Sequence, residues 1–160
     1  MLDFDDLPSL TDPVMIAAFE GWNDAGEAAS AAVAHLREVW TAEPLTELDS
    51  EDYYDYQVTR PLISLDAQGV RQLQWPSTRL YVARAPLFPR DVVLIQGIEP
   101  NVRWQQFTRE ILGLAAELNV SLFVTLAALL SDSPHSRPVP VTGSCTDPGL
   151  REELGIEPST

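Results

Sequence analysis

The stretch VMIAAFEGWNDAGEAASAAVAHLREVW, residues 14–40, joins a continuous apolar run to a helical pattern through a short polar turn. Every residue from Val14 to Phe19 is apolar, which is typical of a strand buried on both faces of a sheet. From Ala25 to Trp40 the apolar residues fall at helical spacing. Asp24 is placed to cap this helix, and Glu27 completes a capping box. A strand–turn–helix unit of this kind predicts an α/β fold.

Two more units extend this pattern along the chain. Val92 to Ile95 reads as a second buried strand, followed by a helix that Asn101 can cap and that keeps helical spacing from Trp104 to Leu118. Leu122 to Leu126 reads as a third buried strand. Strands of this kind pair side by side in one direction, with helices on both faces. We therefore expect a three-layer α/β/α domain with a mainly parallel central sheet.

The rest of the chain has weaker signals. Partial period-two alternation predicts short strands at 45–48, 63–65, 70–75, 79–83 and 139–141. Asp147, Pro148 and Gly155 fit the N-cap, first residue and stop of a last short helix. The sequence ends soon after that helix, without a tail-like composition. We expect residues 1–160 to form a single α/β domain that is incomplete at its C-terminus, with an acidic N-terminal segment at 1–13.

Charge and composition restrict the partners. The net charge is −14, and residues 1–55 hold 14 acids against one arginine, Arg37. Such a field repels phosphate, so we expect no nucleic-acid partner and no membrane partner. All ten basic residues are arginines, which excludes lysine Schiff-base chemistry from this stretch. The single cysteine, Cys145, and the lack of an apolar run long enough to span a bilayer predict a cytoplasmic protein.

Polar residues follow each of the three buried strands. In parallel sheets ligands bind at the carboxyl ends of strands, where loops and helix N-termini converge. We call the following residues the rim and expect them to share a ligand pocket or an interface: Trp22, Asn23, Asp24, Glu99, Asn101, Arg103, Asp132, His135 and Arg137. Alternatively, Asp24 and Asn101 only cap helices, Trp22 only packs, and the two arginines only pair with nearby acids.

A second group of residues combines carboxylates with tyrosines. We call it the acidic segment, and it consists of Asp49, Glu51, Asp52, Tyr53, Tyr54 and Asp55. Clustered carboxylates can bind a hard cation, but the spacing and glycine of an EF-hand loop are missing. Acids interleaved with tyrosine also suit a protein interface, where aromatic side chains supply contact area. We expect the interface and no metal site.

Evidence for catalysis is weak. His135 lies near Asp132, Cys145 and two serines, which could form a nucleophile and base. However, no G-x-S-x-G elbow surrounds any serine, and neither a Walker A, nor a G-x-G-x-x-G, nor a zinc pattern is present. The sequence therefore identifies no catalytic residue and implies no cofactor.

Four blocks of sequence resemble the PAC2 family, the proteasome assembly chaperone 2 family. They are FEGWNDAGEAA (residues 19–29), DYQVTRP (55–61), QGIEPNVRW (96–104) and TLAALLSDSPHSRPVPVTGS (125–144), in the order of that family. The resemblance implies an α/β/α fold related to phosphorylase/hydrolase-like domains. It also implies a homo-oligomer of actinobacterial type, about twice as long as this chain.

Two functions remain open. The resemblance and the missing catalytic motifs favour a non-enzymatic, assembly-chaperone-like protein that binds itself or other proteins through the rim and the acidic segment. The alternative is an enzyme or a small-molecule or nucleotide-binding protein with a pocket at the carboxyl ends of the strands.

Overall fold

The computed structural model of the chain describes residues 7–85 and 89–156. Residues 1–6, which belong to the acidic N-terminal segment predicted at 1–13, and residues 157–160 lie outside the described residues. Two compact units make up the chain, Met1–Leu129 and Leu130–Thr160. That residues 1–160 form a single, incomplete domain stays a prediction.

The described elements follow one another in an α/β order. They are β1 (Val14–Glu20), a 3-10 turn (Ala25–Glu27), α1 (Ala28–Val39), β2 (Glu43–Glu47), α2 (Ser50–Tyr53), β3 (Leu62–Leu65), β4 (Arg71–Gln74), β5 (Arg79–Arg84), β6 (Asp91–Ile98), α3 (Trp104–Glu117), β7 (Leu122–Leu126) and α4 (Pro148–Glu153). The predicted strand at 139–141 is wrong. This segment pairs with no strand of residues 7–85 and 89–156, and Val139 and Val141 are 83% and 93% exposed.

Five strands form the main sheet in the order β2-β5-β6-β1-β7. Strand β1 pairs in parallel with both β6 and β7, as predicted for the three buried strands. The expectation of a mainly parallel sheet needs correction, because the β2–β5 and β5–β6 pairs are antiparallel. Only residues 85–90 connect β5 to β6, and a connection this short cannot make the crossover that parallel neighbours require.

Both faces of the sheet are covered, which confirms the α/β class and the layered arrangement. On one face, Met15 and Ala17 of β1 pack with Phe107 and Ile111 of α3. On the other face, Ala18 of β1 packs with residues of α1. Because successive residues of a strand point to opposite faces, a strand buried on both sides must be apolar at every position. That requirement explains the continuous runs in β1 and β6.

A separate two-stranded hairpin, β3–β4, follows α2. Its register pairs Ile63 with Leu73 and Leu65 with Arg71. The turn at its tip is held by Asp66, whose carboxylate accepts hydrogen bonds from the backbone amides of Gln68 and Val70. Tertiary packing contributes little here, because all four residues of β4 are exposed.

Candidate functional site

The loops after β1, β6 and β7 lie at one edge of the main sheet, as the parallel pairing requires. The amide of Glu99 donates a hydrogen bond of 2.9 Å to the carbonyl of Glu20. The amide of Ala128 donates one of 2.7 Å to the carbonyl of Asn23. Gly21 leaves space for the Glu99 carboxylate, which a Cβ at position 21 would meet at 2.5 Å. The loop after β1 is therefore in direct contact with the loops after β6 and β7, as predicted.

Asp24 is a buried capping residue. Its side chain is 6% exposed, and its carboxylate accepts a hydrogen bond of 2.7 Å from the amide of Ala29 and a longer one from that of Ser30. The predicted capping box is wrong in one respect. Glu27 adopts a left-handed conformation before α1 and makes no capping hydrogen bond with its side chain. Because this carboxylate is buried and bound by two amides, it is not accessible to a ligand. Asp24 therefore stabilises the loop after β1 and does not bind a ligand itself.

Aromatic and apolar side chains in the rim, or next to a rim residue in the sequence, are exposed to solvent. Trp22 is 87% exposed at the end of β1, and Trp104 is 51% exposed at the start of α3. Val102, in the loop after β6, is also exposed. Aromatic side chains are enriched at protein interfaces and are often among the few residues that dominate the binding energy. This edge of the sheet therefore has the composition of a contact surface.

Asn101 does not cap α3, in contrast to the sequence prediction. The helix begins at Trp104, after Arg103 in a left-handed conformation. The side-chain oxygen of Asn101 instead accepts hydrogen bonds of 2.9 Å from the amide of Asp55 and 3.0 Å from the hydroxyl of Thr59. Asn101 thus fastens the chain after α2 to the rim.

Arg103 links the rim to the acidic segment by an ion pair with Asp52. The amides of Asn101 and Val102 both donate to the carbonyl of Tyr53. The loop after β6 and the acidic segment, which lie about 50 positions apart in the sequence, are therefore in direct contact.

The acidic segment divides into exposed acids and buried tyrosines. Asp49 caps the short helix α2 through the amide of Glu51, while Glu51 and Asp55 face solvent. Tyr53 and Tyr54 are 0% and 5% exposed, so their assignment to an interface is wrong. The reason is packing: Tyr53 stacks edge-on against Phe107 at 5.2 Å, inside the core between α3 and the sheet.

The Tyr54 hydroxyl is part of a buried polar cluster. It donates to the carbonyl of Ile98 at 2.8 Å and lies 2.8 Å from the Thr78 hydroxyl. Burial raises the pKa of Tyr54 above its ordinary value of 10.0. Burial and the neighbouring Glu110 carboxylate also raise the pKa of Tyr53. Both phenols therefore stay neutral and serve the structure rather than acid–base chemistry.

The last three rim residues, Asp132, His135 and Arg137, belong to the second compact unit, and all three are exposed. Between residues 130 and 156, His135 makes no hydrogen bond to Asp132 or Cys145. The nucleophile-and-base arrangement considered from the sequence is therefore not assembled. Across the described ranges, no group of three or more His, Cys, Asp or Glu side chains could hold a metal ion. Nor does any helix there have the length and apolar character needed to cross a bilayer.

A cleft of about 690 Å³ lies at the same edge of the sheet, and none of the predicted rim residues lines it. Its walls come from the ends of β1, β2 and β6, the start of β5, helix α1 and the β3–β4 hairpin. The charged residues among its walls are Glu20, Arg37, Glu47, Arg60 and Arg79.

Most charges in the cleft already have partners. The Arg37 guanidinium donates to the Tyr81 hydroxyl at 3.1 Å and to the Gln96 side chain at 2.9 Å. Arg79 pairs with Glu47 at 3.2 Å. Partial burial, followed by repulsion from Glu27 and Asp24, raises the pKa of Glu20 above its ordinary value of 4.5. A polar ligand would compete with these internal contacts.

One signal in the sequence could have located this cleft. Arg37 follows Val33 by four residues, so it lies on the apolar face of α1, where a charged residue is unusual. The cleft residues on β2, β3 and β5 could not be identified from the sequence, because their positions depend on long-range strand pairing.

The sequence model of the PAC2 family matches residues 18–160. No curated protein matches the chain. Three solved structures are similar to it. A PAC2 family protein from Streptomyces avermitilis is 56% identical, with a TM-score of 0.84 over 92% of this chain and 63% of that one. A proteasome-assembly chaperone homologue from Mycobacterium tuberculosis is 50% identical, with a TM-score of 0.81 over 91% and 62%. A protein of unknown function from M. tuberculosis is 27% identical, with a TM-score of 0.83 over 97% and 55%.

The chain spans less than two thirds of the length of each of these three proteins. The shared part includes the loops after β1, β6 and β7, since the family match begins within β1.

Proposed function

Because the chain belongs to the PAC2 family, we propose that it is a non-enzymatic, protein-binding module of the cytoplasm that takes part in protein assembly. The mycobacterial relative that is 50% identical is described as a proteasome-assembly chaperone homologue. Self-association and binding of other proteins both belong to this proposal.

The observation that carries the proposal is the surface that the loop after β6 forms with the acidic segment through the Arg103–Asp52 ion pair. Trp104 is exposed next to Arg103 in the sequence, and Trp22 is exposed in the loop after β1. Interfaces are rich in Trp and Arg, and a few central aromatic residues usually supply most of the binding energy. The most buried carboxylate of the rim, Asp24, is occupied by backbone amides. A contact role therefore fits this surface better than a catalytic one.

Affinity capture with matched variants tests the proposal. The wild-type protein and its Trp22→Ala and Leu112→Ala variants would be immobilised, exposed to an actinobacterial lysate, and the captured proteins compared. Trp22→Ala should lose specific partners with a cost of about 2 kcal/mol, or a roughly 30-fold weaker affinity. Leu112 is 51% exposed on α3, away from the rim, and serves as the control. Capture that is equal for all three proteins would contradict the proposal.

The cleft supports a second candidate, the binding of a small polar molecule. It lies at the carboxyl ends of β1 and β6, where ligands of parallel sheets bind, and three arginines contribute to its walls. A thermal-shift screen with nucleosides, nucleotides, phosphate and divalent ions tests it. A ligand at 100 times its dissociation constant should stabilise the protein by about 2.7 kcal/mol. An Arg37→Met variant should lose the shift, and no shift with any compound would reject this candidate.

A further inference from the structure

The cleft at the carboxyl ends of β1 and β6 has an excess of positive charge. Its walls carry three arginines and two glutamates: Arg37, Arg60, Arg79, Glu20 and Glu47. Arg79 and Glu47 pair with each other at 3.2 Å, which leaves Arg37 and Arg60 against Glu20. An excess of arginine in one cleft stands out in a chain whose net charge is −14, and it favours a negatively charged ligand.

Arg37 is held so that one edge of its guanidinium is unused. Its Nη1 atom donates to the Tyr81 hydroxyl at 3.1 Å and to Oε1 of Gln96 at 2.9 Å, and its guanidinium carbon lies 4.9 Å from the centre of the Tyr81 ring. The Nε and Nη2 atoms donate to no residue in 7–85 or 89–156. An edge of this kind binds a carboxylate through two parallel hydrogen bonds. Because the contacts of Nη1 already restrain the side chain, an anion that binds there immobilises little more.

Arg60 is a second cationic side chain of the cleft without a partner. It is exposed in the segment before β3, and it makes no ion pair or hydrogen bond to any other residue that the structure describes. An anion held by Arg37 would therefore meet a further positive charge that no internal carboxylate neutralises.

Other parts of the cleft wall are apolar. Leu62 and Trp75 both line it and are 67% and 49% exposed. The Trp75 ring packs against Tyr56 with ring centres 4.8 Å apart, which restrains the indole. A flat apolar group can pack against such a surface. The volume of about 690 Å³ is within the range of small-molecule sites.

The electrostatic field limits the charge of the ligand. Two arginines without a carboxylate partner can neutralise a single anionic group, while Glu20 and the acidic surface repel any further negative charge. A nucleotide brings several negative charges, and the chain has neither the glycine-rich loop nor the lysine that hold phosphates in P-loop proteins. A ligand with one carboxylate fits the cleft better.

We propose that the cleft binds a small monocarboxylic acid with a flat apolar body. The carboxylate occupies the Nε–Nη2 edge of Arg37, Arg60 adds attraction, and the apolar body packs on Trp75 and Leu62. A ligand that displaced Tyr81 or Gln96 would compete with internal contacts, whereas a carboxylate on the free edge leaves both contacts in place. The inference rests on the small-molecule binding proposed for the cleft and names the chemistry of the ligand.

Calorimetric titration with matched ligand pairs tests the requirement for charge. The probes are benzoate, 2-naphthoate and indole-3-acetate, each compared with its primary amide, and AMP and inorganic phosphate are titrated alongside. Each amide keeps the flat body and lacks the charge, so at least one acid should bind tenfold more tightly than its amide. Equal affinity for every acid and its amide, no binding of any acid, or tighter binding of AMP or phosphate would overturn the proposal.

Variants of the two arginines test the position of the carboxylate. Arg37→Met and Arg60→Gln should each weaken binding of the acid about tenfold, and Arg60→Gln should leave the affinity for the amide unchanged. Arg37→Lys keeps the charge but loses the two-nitrogen edge, so it should also weaken the acid. Arg109→Gln removes an exposed arginine of α3 outside the cleft and should have no effect.

Equal weakening by Arg60→Gln and Arg109→Gln would overturn the proposal, since it would reflect the net charge of the protein rather than a site. Arg37 contacts Tyr81 and Gln96, so circular dichroism checks that its variants are folded. Arg60 has no such contact in the described part of the chain, and its variant gives a test that does not depend on folding.

The outcomes separate this inference from the proposed function. Nucleosides or amides that stabilise the protein as well as the acids do, with a response that Arg37→Met abolishes, would overturn the carboxylate and leave the cleft as a small-molecule site. No response to any compound would reject both. Partner capture that depends on Trp22 tests the protein-binding function separately.

Discussion

The role of a polar residue in this protein depends on its burial and on its hydrogen-bond partners. Asp24 and Tyr54 are both buried, and each has hydrogen-bond partners from the backbone. Burial without such partners costs about 1–3 kcal/mol per polar group, so each residue becomes a fixed structural element. Asp66, by contrast, is at the tip of an exposed hairpin, where the same kind of carboxylate organises a turn and remains accessible.

Removal of the Asp24 carboxylate should destabilise the fold. Asp24→Ala leaves the buried amides of Ala29 and Ser30 without an acceptor, so we expect a loss of about 2 kcal/mol in the free energy of unfolding. Urea denaturation followed by circular dichroism measures this loss. Glu27→Ala is the matched control and should change stability by less than about 0.5 kcal/mol, because Glu27 is exposed and caps nothing with its side chain.

Replacement of Glu20 should reveal a pH-dependent cost of its charge. The raised pKa of Glu20 means that the folded state disfavours the ionised carboxylate. Below its ordinary pKa of 4.5 the Glu20 carboxyl is protonated in both the folded and the unfolded state and does not affect stability. As the pH rises through the higher pKa of the folded state, the free energy of unfolding decreases. Glu20→Gln should therefore be more stable than the wild type at pH 7, by less than about 1 kcal/mol because the carboxyl is only partly buried.

The difference between Glu20→Gln and the wild type should disappear near pH 4, where both side chains are neutral. Glu117→Gln, at an exposed site late in α3, provides the comparison for a carboxylate on the surface. A Glu20→Gln variant whose advantage is the same at both pH values would contradict the argument.

At the scale of elements, glycine has a different role in strand β6 than in helix α3. Gly97 lies in the buried strand β6, where a Cβ would come within 2.7 Å of the Thr78 backbone. Gly113 lies inside α3, where a Cβ would meet nothing within 4 Å. The first glycine is required by close packing, while the second only lowers the helix propensity of α3.

The same substitution should therefore have opposite effects at the two positions. Gly97→Ala should destabilise the protein by about 1–3 kcal/mol through overpacking against Thr78. Gly113→Ala should stabilise it by up to about 1 kcal/mol, since alanine favours the helix and nothing blocks its methyl group. Thermal and urea denaturation of the two variants compares them directly. A stabilised Gly97→Ala protein would mean that β6 and Thr78 are not as close as described.

At the scale of the whole molecule, the net charge of −14 acts on every element at once. Most of the excess lies in residues 1–55, which include β1, α1 and the acidic segment. Like charges at this density repel one another and destabilise the compact state. Ion pairs such as Arg79–Glu47 are exposed and contribute little against this repulsion.

Salt should therefore stabilise the protein. Between about 0.02 M and 0.3 M NaCl the Debye length falls from roughly 20 Å to 6 Å, which screens repulsion between surface acids. We expect the melting temperature to rise by several degrees over this range, as measured by differential scanning fluorimetry. A variant that combines Glu51→Gln with Asp55→Asn, both at exposed positions, should show a smaller rise. A melting temperature that falls with salt would indicate that surface ion pairs outweigh the repulsion.

Local patterns were enough to identify the main elements. The continuous apolar runs of β1, β6 and β7 and the spacing of α1 and α3 reflect periodicities that each segment carries by itself. The α/β class and the parallel contact of the three buried strands followed from them. The family also followed, because the resemblance rests on contiguous blocks of sequence.

The tertiary structure decided the remaining features, since they depend on contacts between distant parts of the chain. Tyr54 is buried because Thr78 and Ile98 meet it, and Asn101 fastens residues 55–59 rather than a helix end. The antiparallel placement of β5 and the position of the cleft likewise depend on long-range strand pairing. Sequence alone determined the main strands and helices, because periodicity is local, but it also predicted a strand at 139–141 that is not formed and did not predict α2. Which polar residues face solvent was decided only by packing, because burial is a property of the assembled chain.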